Sequence, residues 1–347
     1  MSNQHFCDVQ LAKAKAKAKA KAKAKAKAKA KEIMNFLSNT TLAKEDHADK
    51  TASVAVACSI VIVCFHSLHE LGPCLDMLRA GPPGAGVEVI VVNNAQSDGA
   101  EVAAHCAAQG VRCLQSAVNL GYGAACNLGA AQAQGRYVLF MNPDVRLSPA
   151  SLQLLIDQCD AHKDLIAIAP LQGDAWGRVR GKRRTVGQAW TPFTRTLHRL
   201  SSAGTLKPTG FLGGGVLMVR NDAFDQVGGF DENIFLFHED DDLCLRLANR
   251  GKLAYAAGVL AVHNSGCSTP PSAALTKTKS WHLGNSKVYV ARKHYGNLAA
   301  LLPLLEGVGK FVHPMILTRR GRIKARAFLA GAWAGQFGVN ASVGGAV

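Results

Sequence analysis

Short, uninterrupted apolar runs recur along this chain of 347 residues, and the first of them is SIVIVCF at 59–65. A strand that is apolar at every position must be covered on both faces, as happens in a parallel sheet that lies between two layers of helices. Further segments that favour strands begin near 87, 111, 136 and 165, and segments that favour helices separate them. Such alternation with short connections indicates parallel strands joined by crossovers, so the sequence predicts an α/β fold.

The same pattern extends over most of residues 52–299. Strands are predicted at 59–65, 87–94, 111–116, 136–141, 165–170, 213–220 and, as two short strands, within 253–263. Helices are predicted at 68–79, 100–109, 123–134, 149–162, 221–227 and 241–251. Residues 171–209 lack periodicity and include the basic RVRGKRR at 178–184, which is typical of a functional loop. We expect one large domain over 52–299 and a C-terminal helical extension over 300–347.

Residues 1–51 form an appendage of low complexity, in which lysine occupies every odd position from 13 to 31. Lysines at this spacing repel one another in a helix, and neither alanine nor lysine favours a strand, so a disordered tail is predicted. Subtracting these ten lysines from the formal net charge of +16 leaves +6 on the rest of the chain. Nucleic-acid binding by the folded part is therefore not expected, whereas contact of the tail with anionic lipid or nucleic acid is an alternative.

The ten cysteines contain no CxxC pair, and several lie within apolar runs, where cysteine behaves as a small apolar residue. An even number permits disulfides, but buried free thiols in a reducing compartment are the expected state in a chain of this length. The N-terminus lacks the apolar run of a secretory signal, and the longest apolar stretches are too short to span a bilayer. The predicted location is cytoplasmic.

Polar residues follow two predicted strands at the edge where open α/β sheets bind their ligands. Asn93 and Asn94 end one strand, and Asn142-Pro143-Asp144 follows another. A carboxylate at this edge can hold a divalent cation that keeps positions open for phosphate oxygens. The same three residues are also common in a turn that caps the next helix, so both interpretations are open for this motif by itself.

An acidic run, Glu239–Asp242, separates an apolar stretch from the start of a predicted helix. Acidic residues stabilise the first turn of a helix through its dipole, which would account for Asp242. Four together exceed what a helix start needs, and a carboxylate at a ligand cleft is suited to take a proton from a hydroxyl nucleophile. His263 ends the last predicted strand and could complete a metal site with Asp144, although a single histidine is more often structural.

The glycines of NLGYGAACNLG at 119–129 could let backbone amides approach a phosphate or a sugar. Gly121 and Gly123 match half of a dinucleotide-binding fingerprint, but Cys126 replaces the third glycine. This half-match leaves a nicotinamide-dependent oxidoreductase as an alternative function.

Taken together, five stretches in this order resemble the family 2 glycosyltransferases with a GT-A fold, most closely their rhamnosyltransferase-like members. They are SIVIVCFHS, VIVVNNAQSDG, NLGYGAACNLGAAQAQGRYVLFMNPDV, GGGVLMVRNDAFDQVGGFDENIFLFHEDDDLCLR and AVHNSGCS, within residues 56–296. The resemblance implies a mixed, mainly parallel sheet, a nucleotide-diphospho-sugar donor, a divalent metal (Mg²⁺ or Mn²⁺) and inversion at the anomeric carbon. It further implies transfer of a sugar such as rhamnose to a hydroxyl of a growing polysaccharide or a lipid-linked glycan.

The resemblance also assigns roles to particular residues. Asp144 inherits the contact with the metal and the diphosphate, and His263 completes the metal coordination. Asp240 is the expected catalytic base, and Glu239 is its competitor or orients the acceptor. The residues expected to contact the acceptor are Gly214, Gly215 and Glu239. The residues expected to hold the donor nucleotide are Cys64, His66, Asn94, Asp98, Asn119, Gly121, Gly123, Asn127 and Asn142.

The chain departs from the family pattern in two places. The opening strand ends in Cys64-Phe65-His66 where the family usually has Thr-Tyr-Asn next to the base of the donor, so the base is left open. Asp241 stands where an apolar residue is common. A non-catalytic sugar-nucleotide-binding protein that keeps this fold is a further alternative, and metal-dependent release of nucleoside diphosphate separates the enzyme from it.

Residues 300–338 begin with the apolar LLPLLEGVGKFVHPMIL, which prolines and glycines interrupt, and continue with the basic RRGRIKARAFLAGAWAGQF. Basic residues ahead of Phe328, Leu329, Trp333 and Phe337 are typical of an interfacial helix. One interpretation is a peripheral contact at the inner face of the cell membrane. The other is a helix that packs on the catalytic domain or forms a contact in a homo-oligomer.

Overall fold

A computed structural model describes residues 56–80, 86–174, 205–263 and 272–338. Within these residues, nine strands form one sheet. The strands are β1 (Cys58–Cys64), β2 (Val87–Asn93), β3 (Arg112–Gln115), β4 (Tyr137–Met141), β5 (Val145–Arg146), β6 (Leu165–Gly173), β7 (Thr205–Pro208), β8 (Val216–Arg220) and β9 (Lys252–His263). The Ala-Lys tract and RVRGKRR lie outside the described residues, so the expectations for both stay predictions.

The strand order across the sheet is β3-β2-β1-β4-β8-β6-β9-β5, and β7 also pairs with β9. Neighbouring strands are parallel from β3 to β4 and between β6 and β9. β8 lies antiparallel between β4 and β6, so β6 and β9 run in the same direction as β1. β5 and β7 pair antiparallel with β9. The predicted mixed, mainly parallel α/β sheet is confirmed.

Helices pack on both faces of this sheet. The α-helices of the described residues are α1 (Leu68–Arg79), α2 (Gly99–Ala108), α3 (Tyr122–Ala130), α4 (Pro149–Ala161), α5 (Asn221–Gln226), α6 (Glu239–Leu247), α7 (Ala273–Tyr295), α8 (Leu302–Gly309) and α9 (Arg319–Phe337). In β1, Ile60 and Ile62 pack with buried residues of α1 and α4, whereas Val61 and Val63 pack with residues of α3 and α6. Coverage on both faces is the physical reason for the uninterrupted apolar run.

β9 is one continuous strand of 12 residues, so the prediction of two short strands within 253–263 is wrong. Its pairing with β6 shifts in register between Pro170 and Leu171. Gly258 lies in the left-handed region, with φ +87°. A bulge of this kind adds residues to one strand without ending it, so the glycine bends the strand where the pattern suggests a break.

The sequence pattern does not predict three of the elements. β5 has two residues and β7 has four, so neither is long enough to show a period. α7 has 23 residues, but its buried positions include Ser280, His282, Gly284 and Ser286, so it lacks an apolar stripe. Its N-cap Ser272, which accepts a hydrogen bond from the Leu275 amide at 3.0 Å, was the available signal.

Helix α9 lies along α7, and glycines set how closely the two helices approach. A Cβ atom on Gly284 would overlap the carbonyl oxygen of Phe328, and one on Gly331 would overlap that of Trp281. Phe328 is buried in this contact. The basic helix α9 therefore packs against α7, in agreement with the interpretation of a helix that packs on the catalytic domain. Most of the exposed apolar side chains lie before α9 in the chain.

Two further observations concern the described residues as a whole. No helix there has both the length and the apolar character to cross a membrane. None of the eight described cysteines forms a disulfide, and all of them except Cys113 are buried, in keeping with their place in apolar runs.

Candidate active site

The carboxyl ends of β1, β2 and β4 lie at one edge of the sheet, and β9 ends there in His263. β5 brings the ends of β4 and β9 together, because Val145 pairs with His263 in its antiparallel register. Asp144 comes directly before Val145 and is 1% exposed. Its Oδ1 lies 3.3 Å from Nε2 of His263. The two residues expected to hold a metal are therefore neighbours.

The hydrogen bonds around His263 decide which ring nitrogen faces Asp144. Gln172 donates through Nε2 to the carbonyl of Gly213 at 3.3 Å, which leaves its Oε1 as an acceptor. Nδ1 of His263 donates to that oxygen at 2.9 Å. This hydrogen bond engages Nδ1 and leaves Nε2 as the ring nitrogen that faces Asp144. Histidines that bind metals are usually oriented in this way, by a hydrogen bond from the other nitrogen.

The donor set fits a divalent cation that is shared with another ligand. Within the described residues, no group of three or more His, Cys, Asp or Glu side chains is arranged to hold a metal ion. A cation held by Asp144 and His263 keeps most of its positions open for water or phosphate oxygens, as Mg²⁺ does at nucleotide sites. The site is therefore suited to a cation that binds together with a diphosphate.

Asp240 lies in the first turn of α6, beside a glycine-rich loop. Its Oδ2 accepts a hydrogen bond of 2.8 Å from the amide of Gly214, and its Oδ1 accepts one of 2.9 Å from the amide of Asp241. A Cβ atom on Gly214 would come within 3.1 Å of Oδ2, so a larger residue would crowd the carboxylate. The side chain is partly exposed and its orientation is fixed, as a general base requires.

The loop 213–215 connects this carboxylate to the Asp144–His263 pair. A Cβ atom on Gly215 would lie 2.7 Å from Nδ1 of His263 and 2.6 Å from Oε1 of Gln172, so only glycine leaves room for that hydrogen bond. The amide of Asn142 donates to the carbonyl of Gly215 at 3.0 Å. Gly214 and Gly215, expected to contact the acceptor, thus lie between the candidate base and the candidate metal ligands.

Glu239 is buried next to Asp240, against the start of α3. A Cβ atom on Gly123 would lie 3.6 Å from the Cβ of Glu239, so this glycine lets α3 approach the acidic turn. The neighbouring Tyr122 hydroxyl donates to the carbonyl of Gly214 at 3.1 Å. Burial, followed by the charges of nearby groups that include Glu239, raises the pKa of Tyr122 well above its ordinary value, so the hydroxyl keeps its proton.

The turn before α6 has an unusual backbone. Phe237 and His238 both lie in the left-handed region, with φ +67° and +65°. Such residues cost about 1–3 kcal/mol each and persist where their surroundings hold them, often at functional sites. Nδ1 of His238 contacts Oδ2 of the buried Asp241 at 2.7 Å. Asp241, which departs from the family pattern, thus helps to hold the turn that presents Asp240.

Asp242 is fully buried and ties α6 to α7. Its Oδ2 accepts a hydrogen bond of 2.9 Å from Arg246, and its Oδ1 lies 2.7 Å from both Lys293 and His294. Removing one partner of a buried ion pair is strongly destabilising, because an uncompensated charge is left. The structure therefore gives Asp242 a structural role, which leaves Glu239 and Asp240 as the acidic residues next to the glycine loop.

Asn94 fastens the loop before α3 to the edge of the sheet. Its Nδ2 donates to Oδ1 of Asn119 and to the carbonyl of Gly121, both at 3.0 Å, and its Oδ1 accepts from the amide of Leu120 at 2.9 Å. A Cβ atom on Gly121 would overlap the carbonyl oxygen of Phe235. Asn94, Asn119 and Gly121 thus shape the edge, and their contact with a nucleotide stays a prediction.

His66 and Asp98 are partly exposed side by side, with Nδ1 and Oδ2 3.5 Å apart. Asn93 donates to the other oxygen of Asp98 at 3.1 Å. These two side chains are placed where a nucleoside can reach them. Cys64, by contrast, is 0% exposed and its sulfur lies 3.4 Å from the hydroxyl of Ser67, so the structure does not support a donor contact by the thiol.

Asn127 fastens α3 to the segment that precedes the acidic turn. Its Nδ2 donates to the carbonyl of Phe230 at 2.9 Å and to Glu232 at 3.1 Å, and its Oδ1 accepts from the amide of Phe230 at 2.9 Å. These bonds give Asn127 a structural role, and its expected contact with the donor stays a prediction. A Cβ atom on Gly123 would lie 3.0 Å from the Cβ of Phe230, so Gly121 and Gly123 both allow close packing within the protein.

Sequence reasoning misses three side chains of this site. Gln172 lies in the part of the chain where periodicity is lost, and no local signal marks it. Tyr122 lies within the glycine-rich motif at 119–129, but that motif predicts contacts by backbone amides and gives no role to the tyrosine hydroxyl. His238 precedes Asp241 by three residues. Side chains at this spacing near a helix start can contact each other, so the sequence does contain a signal for this pair.

Sequence comparison identifies relatives of this chain. Residues 59–228 match Glycosyl transferase family 2. The chain is 31% identical over 238 residues to an N-acetylglucosaminyl-diphospho-decaprenol L-rhamnosyltransferase of Mycobacterium tuberculosis, and the match covers 60% of this chain and 76% of that protein. It is also 37% identical over 81 residues to rhamnosyltransferase WbbL of Escherichia coli, which covers 23% of this chain and 30% of that protein.

Solved structures share the fold. The mannosyltransferase PcManGT of Pyrobaculum calidifontis, in complex with GDP-Man and Mn²⁺, superposes with a TM-score of 0.51 at 14% identity, over 92% of this chain and 97% of that chain. GalNAc-T7 with UDP, GalNAc and Mn²⁺ superposes with a TM-score of 0.53 at 13% identity, over 88% of this chain and 61% of that chain. Identity this low shows the fold alone.

The mixed sheet and the likeness to these structures define a GT-A fold. The chain belongs to glycosyltransferase family 2, with rhamnosyltransferases among its relatives. The oxidoreductase alternative and the non-catalytic alternative are therefore set aside.

Proposed function

We propose that the enzyme transfers rhamnose from a nucleotide-diphospho-sugar to a hydroxyl of a lipid-linked glycan or a growing polysaccharide. The transfer inverts the anomeric carbon and depends on a divalent cation. The observation that carries this proposal is the loop 213–215, which contacts Asp240 through Gly214 and packs on His263 through Gly215. It holds a candidate base and a candidate metal site at a common edge.

The relatives support the choice of sugar and acceptor. Both are named rhamnosyltransferases, and the name of the Mycobacterium tuberculosis protein gives its acceptor as N-acetylglucosaminyl-diphospho-decaprenol. A glycan on a lipid diphosphate is accordingly the acceptor class that we propose for this chain. A cytoplasmic location and a homo-oligomeric state stay predictions.

A divalent cation, Mg²⁺ or Mn²⁺, is proposed on two grounds. The two solved structures contain Mn²⁺ together with a nucleotide or a nucleotide sugar. In this chain the carboxylate of Asp144 and Nε2 of His263 converge, with the ring held by Gln172. Asp144 and His263 would hold the cation, which when bound supplies positive charge to the departing diphosphate.

The chain's own carboxylates would handle the proton. Inverting transfer is a single in-line displacement, in which the acceptor oxygen bonds to the anomeric carbon while the bond from that carbon to the diphosphate oxygen breaks. Asp240 is proposed to take the proton of the acceptor hydroxyl, since backbone amides fix its carboxylate at the partly exposed edge. The buried Glu239 is proposed to orient the acceptor or Asp240 itself.

Gln172→Leu should weaken metal-dependent donor binding by about 10- to 100-fold, the usual cost of removing a group that orients a metal ligand. Leucine cannot accept from Nδ1 of His263, so the tautomer and orientation of the ring are no longer fixed. Titration calorimetry with the nucleotide sugar, with and without Mn²⁺, measures the change. Gln153→Leu on α4, where Gln153 donates to Asp157, is the matched control. Equal affinities of the two variants would remove Gln172 from the site.

The proposed function is tested with a panel of nucleotide-diphospho-sugars in Mg²⁺ or Mn²⁺. Thermal unfolding detects which donor stabilises the protein, and slow release of nucleoside diphosphate detects its hydrolysis. We expect a nucleotide-diphospho-rhamnose to stabilise the enzyme and to be hydrolysed only with the metal, while NAD(H) has no effect. Stabilisation without turnover in the presence of an acceptor, or turnover that ignores chelation of the metal, would overturn the proposal.

A further inference from the structure

Exposed apolar side chains are concentrated in one part of the molecule. Of the fourteen large apolar side chains that are exposed in the described residues, twelve lie between residues 295 and 337. We call the C-terminal apolar surface the part formed by Leu298, Leu305, Val308, Val312, Met315 and Leu317. Single exposed apolar residues need no explanation, but a contiguous stretch of this kind marks an interaction site.

The local structure explains why these side chains face outward. Helix α8 buries Pro303 and Gly307, and a Cβ atom on Gly307 would lie 2.9 Å from the side chain of Leu329. Leu304 also packs on the buried cluster of Val288, Ala300 and Ala332. The other large residues of α8, Leu302, Leu305 and Val308, are exposed.

The segment between α8 and α9 forms the most exposed part of this surface. Val312 is 87% exposed and Leu317 is 80% exposed. Their backbone is nevertheless ordered by hydrogen bonds, since the amide of Thr318 donates to the carbonyl of Met315 at 3.1 Å and Arg322 donates to that of Leu317 at 2.9 Å. Apolar side chains are thus presented on a fixed loop, which lowers the entropy cost of binding.

The charge around this surface is of one sign. Residues 298–337 contain six lysines and arginines and one acidic residue, Glu306. Glu306 is neutralised by Lys287 and Lys310, whose Nζ atoms lie 2.5 and 2.6 Å from its oxygens. Arg319 and Arg320 are exposed directly after the apolar loop. The surface therefore combines apolar side chains with a surplus of positive charge.

We propose that the C-terminal apolar surface docks on an anionic lipid bilayer, with the loop 311–317 in the interface and the first turn of α9 against the headgroups. Apolar side chains beside clustered arginines are the composition that binds such surfaces. A second copy of the chain fits less well, because a symmetric contact would bring two positive surfaces together. This inference extends the proposed function, since a docked enzyme meets a lipid-linked acceptor at the membrane.

Sedimentation with vesicles tests the proposal without donor or acceptor. The full chain should bind vesicles of phosphatidylglycerol and phosphatidylcholine, bind pure phosphatidylcholine much more weakly, and be released in part by salt. Arg319→Glu with Arg320→Glu should weaken binding to the anionic vesicles by about 30-fold, because each basic residue near such a surface is worth about fivefold. Glutamate in the first turn also suits the helix dipole, so α9 should still form.

Two further variants make the result specific. Val312→Asp with Leu317→Asp should weaken vesicle binding by about tenfold or more, because the apolar burial is lost. Arg112→Glu with Lys163→Glu reverses two exposed charges on β3 and before β6, and should leave binding nearly unchanged. Circular dichroism and thermal unfolding verify that each variant is folded.

The outcomes separate this inference from the proposed function. If the folded variants bind vesicles as the parent chain does, or binding ignores lipid charge, the docking surface is wrong even when donor hydrolysis is intact. If ultracentrifugation instead shows a dimer that Val312→Asp with Leu317→Asp dissociates, and vesicles do not bind, the surface is a contact between copies. If vesicle binding holds but no nucleotide sugar is turned over, the proposed function fails and the docking surface stands.

Discussion

Asp240→Asn should lower the rate of sugar transfer by about 10²- to 10⁴-fold, which is the usual contribution of a positioned general base. An asparagine can still accept the hydrogen bond that Oδ2 receives from the amide of Gly214 at 2.8 Å, so the loop should keep its place. The amide cannot take a proton from the acceptor hydroxyl. The affinity for the donor should hardly change, because the proposed contacts with the diphosphate lie at Asp144 and His263.

Single-turnover measurements and donor titrations on the same preparation separate these two effects. Glu239→Gln is the comparison variant, because Glu239 is the adjacent carboxylate and is buried next to the same loop. It should raise the KM for the acceptor more than it lowers the rate of the chemical step. A nearly normal rate in Asp240→Asn, with a collapse of the rate in Glu239→Gln, would exchange the roles of the two residues.

Asp144→Asn should remove the metal dependence of donor binding, with a loss of donor affinity of about 100-fold in the presence of Mn²⁺. Loss of a group that only orients a metal ligand already costs about 10- to 100-fold, and Asp144 is itself a proposed ligand. Its side chain is nearly inaccessible and lies 3.3 Å from Nε2 of His263. The asparagine has a similar shape but no charge, so the fold should persist.

Calorimetric titration of donor and metal, each alone and together, measures this coupling. In the parent chain Mn²⁺ and the nucleotide sugar should each increase the affinity for the other by the same factor. In Asp144→Asn that factor should fall close to one. Asp157→Asn, an exposed substitution on α4, is the matched control. A folded Asp144→Asn protein that keeps the coupling would show that the cation binds elsewhere.

The central strands of the fold can be predicted from the sequence, because strands that are covered on both faces carry apolar side chains on both faces. Residues 60–65 of the first run are apolar at every position, because neighbouring residues such as Ile60 and Val61 pack on opposite faces of the sheet. The bulge at Gly258 is less predictable, because its conformation depends on the register of β9 with β6. Short elements such as β5 carry no period, although β5 is what brings Asp144 next to His263.

The candidate site likewise contains some residues that the sequence predicts and others that it does not. Asp144, Asp240 and His263 are predictable, because each ends a strand or begins a helix at the ligand edge of the sheet. Gln172 is not, since its role depends on a hydrogen bond to a residue 91 positions away. Cys64 and Asn127 lie within the expected motifs, but the side chain of Cys64 turns to the core and that of Asn127 bonds to Phe230, orientations that the motifs do not reveal.

In the C-terminal region, the composition of the sequence suggests a different location for the exposed apolar side chains from the one in the structure. The sequence places the basic residues and the aromatic residues on one helix, which suggests that α9 itself lies in an interface. In the structure the backbone of Phe328 packs against α7, and most of the exposed apolar residues precede the helix, although Trp333 and Phe337 on the helix are exposed as well. The approach of Gly284 and Gly331 to the opposite backbone produces this packing, and small residues give no signal in a hydrophobic pattern.

The stereochemistry of the first product is the most direct test of the proposed inverting, metal-dependent transfer. Proton NMR of the product formed from a nucleotide-diphospho-rhamnose, Mn²⁺ and a lipid-diphosphate-linked N-acetylglucosamine reports the anomeric configuration of the new glycosidic bond. One in-line displacement assisted by Asp240 predicts the configuration opposite to that of the donor, formed only when the metal is present. A product that retains the donor's configuration, or that forms equally well after chelation of the metal, would contradict the account.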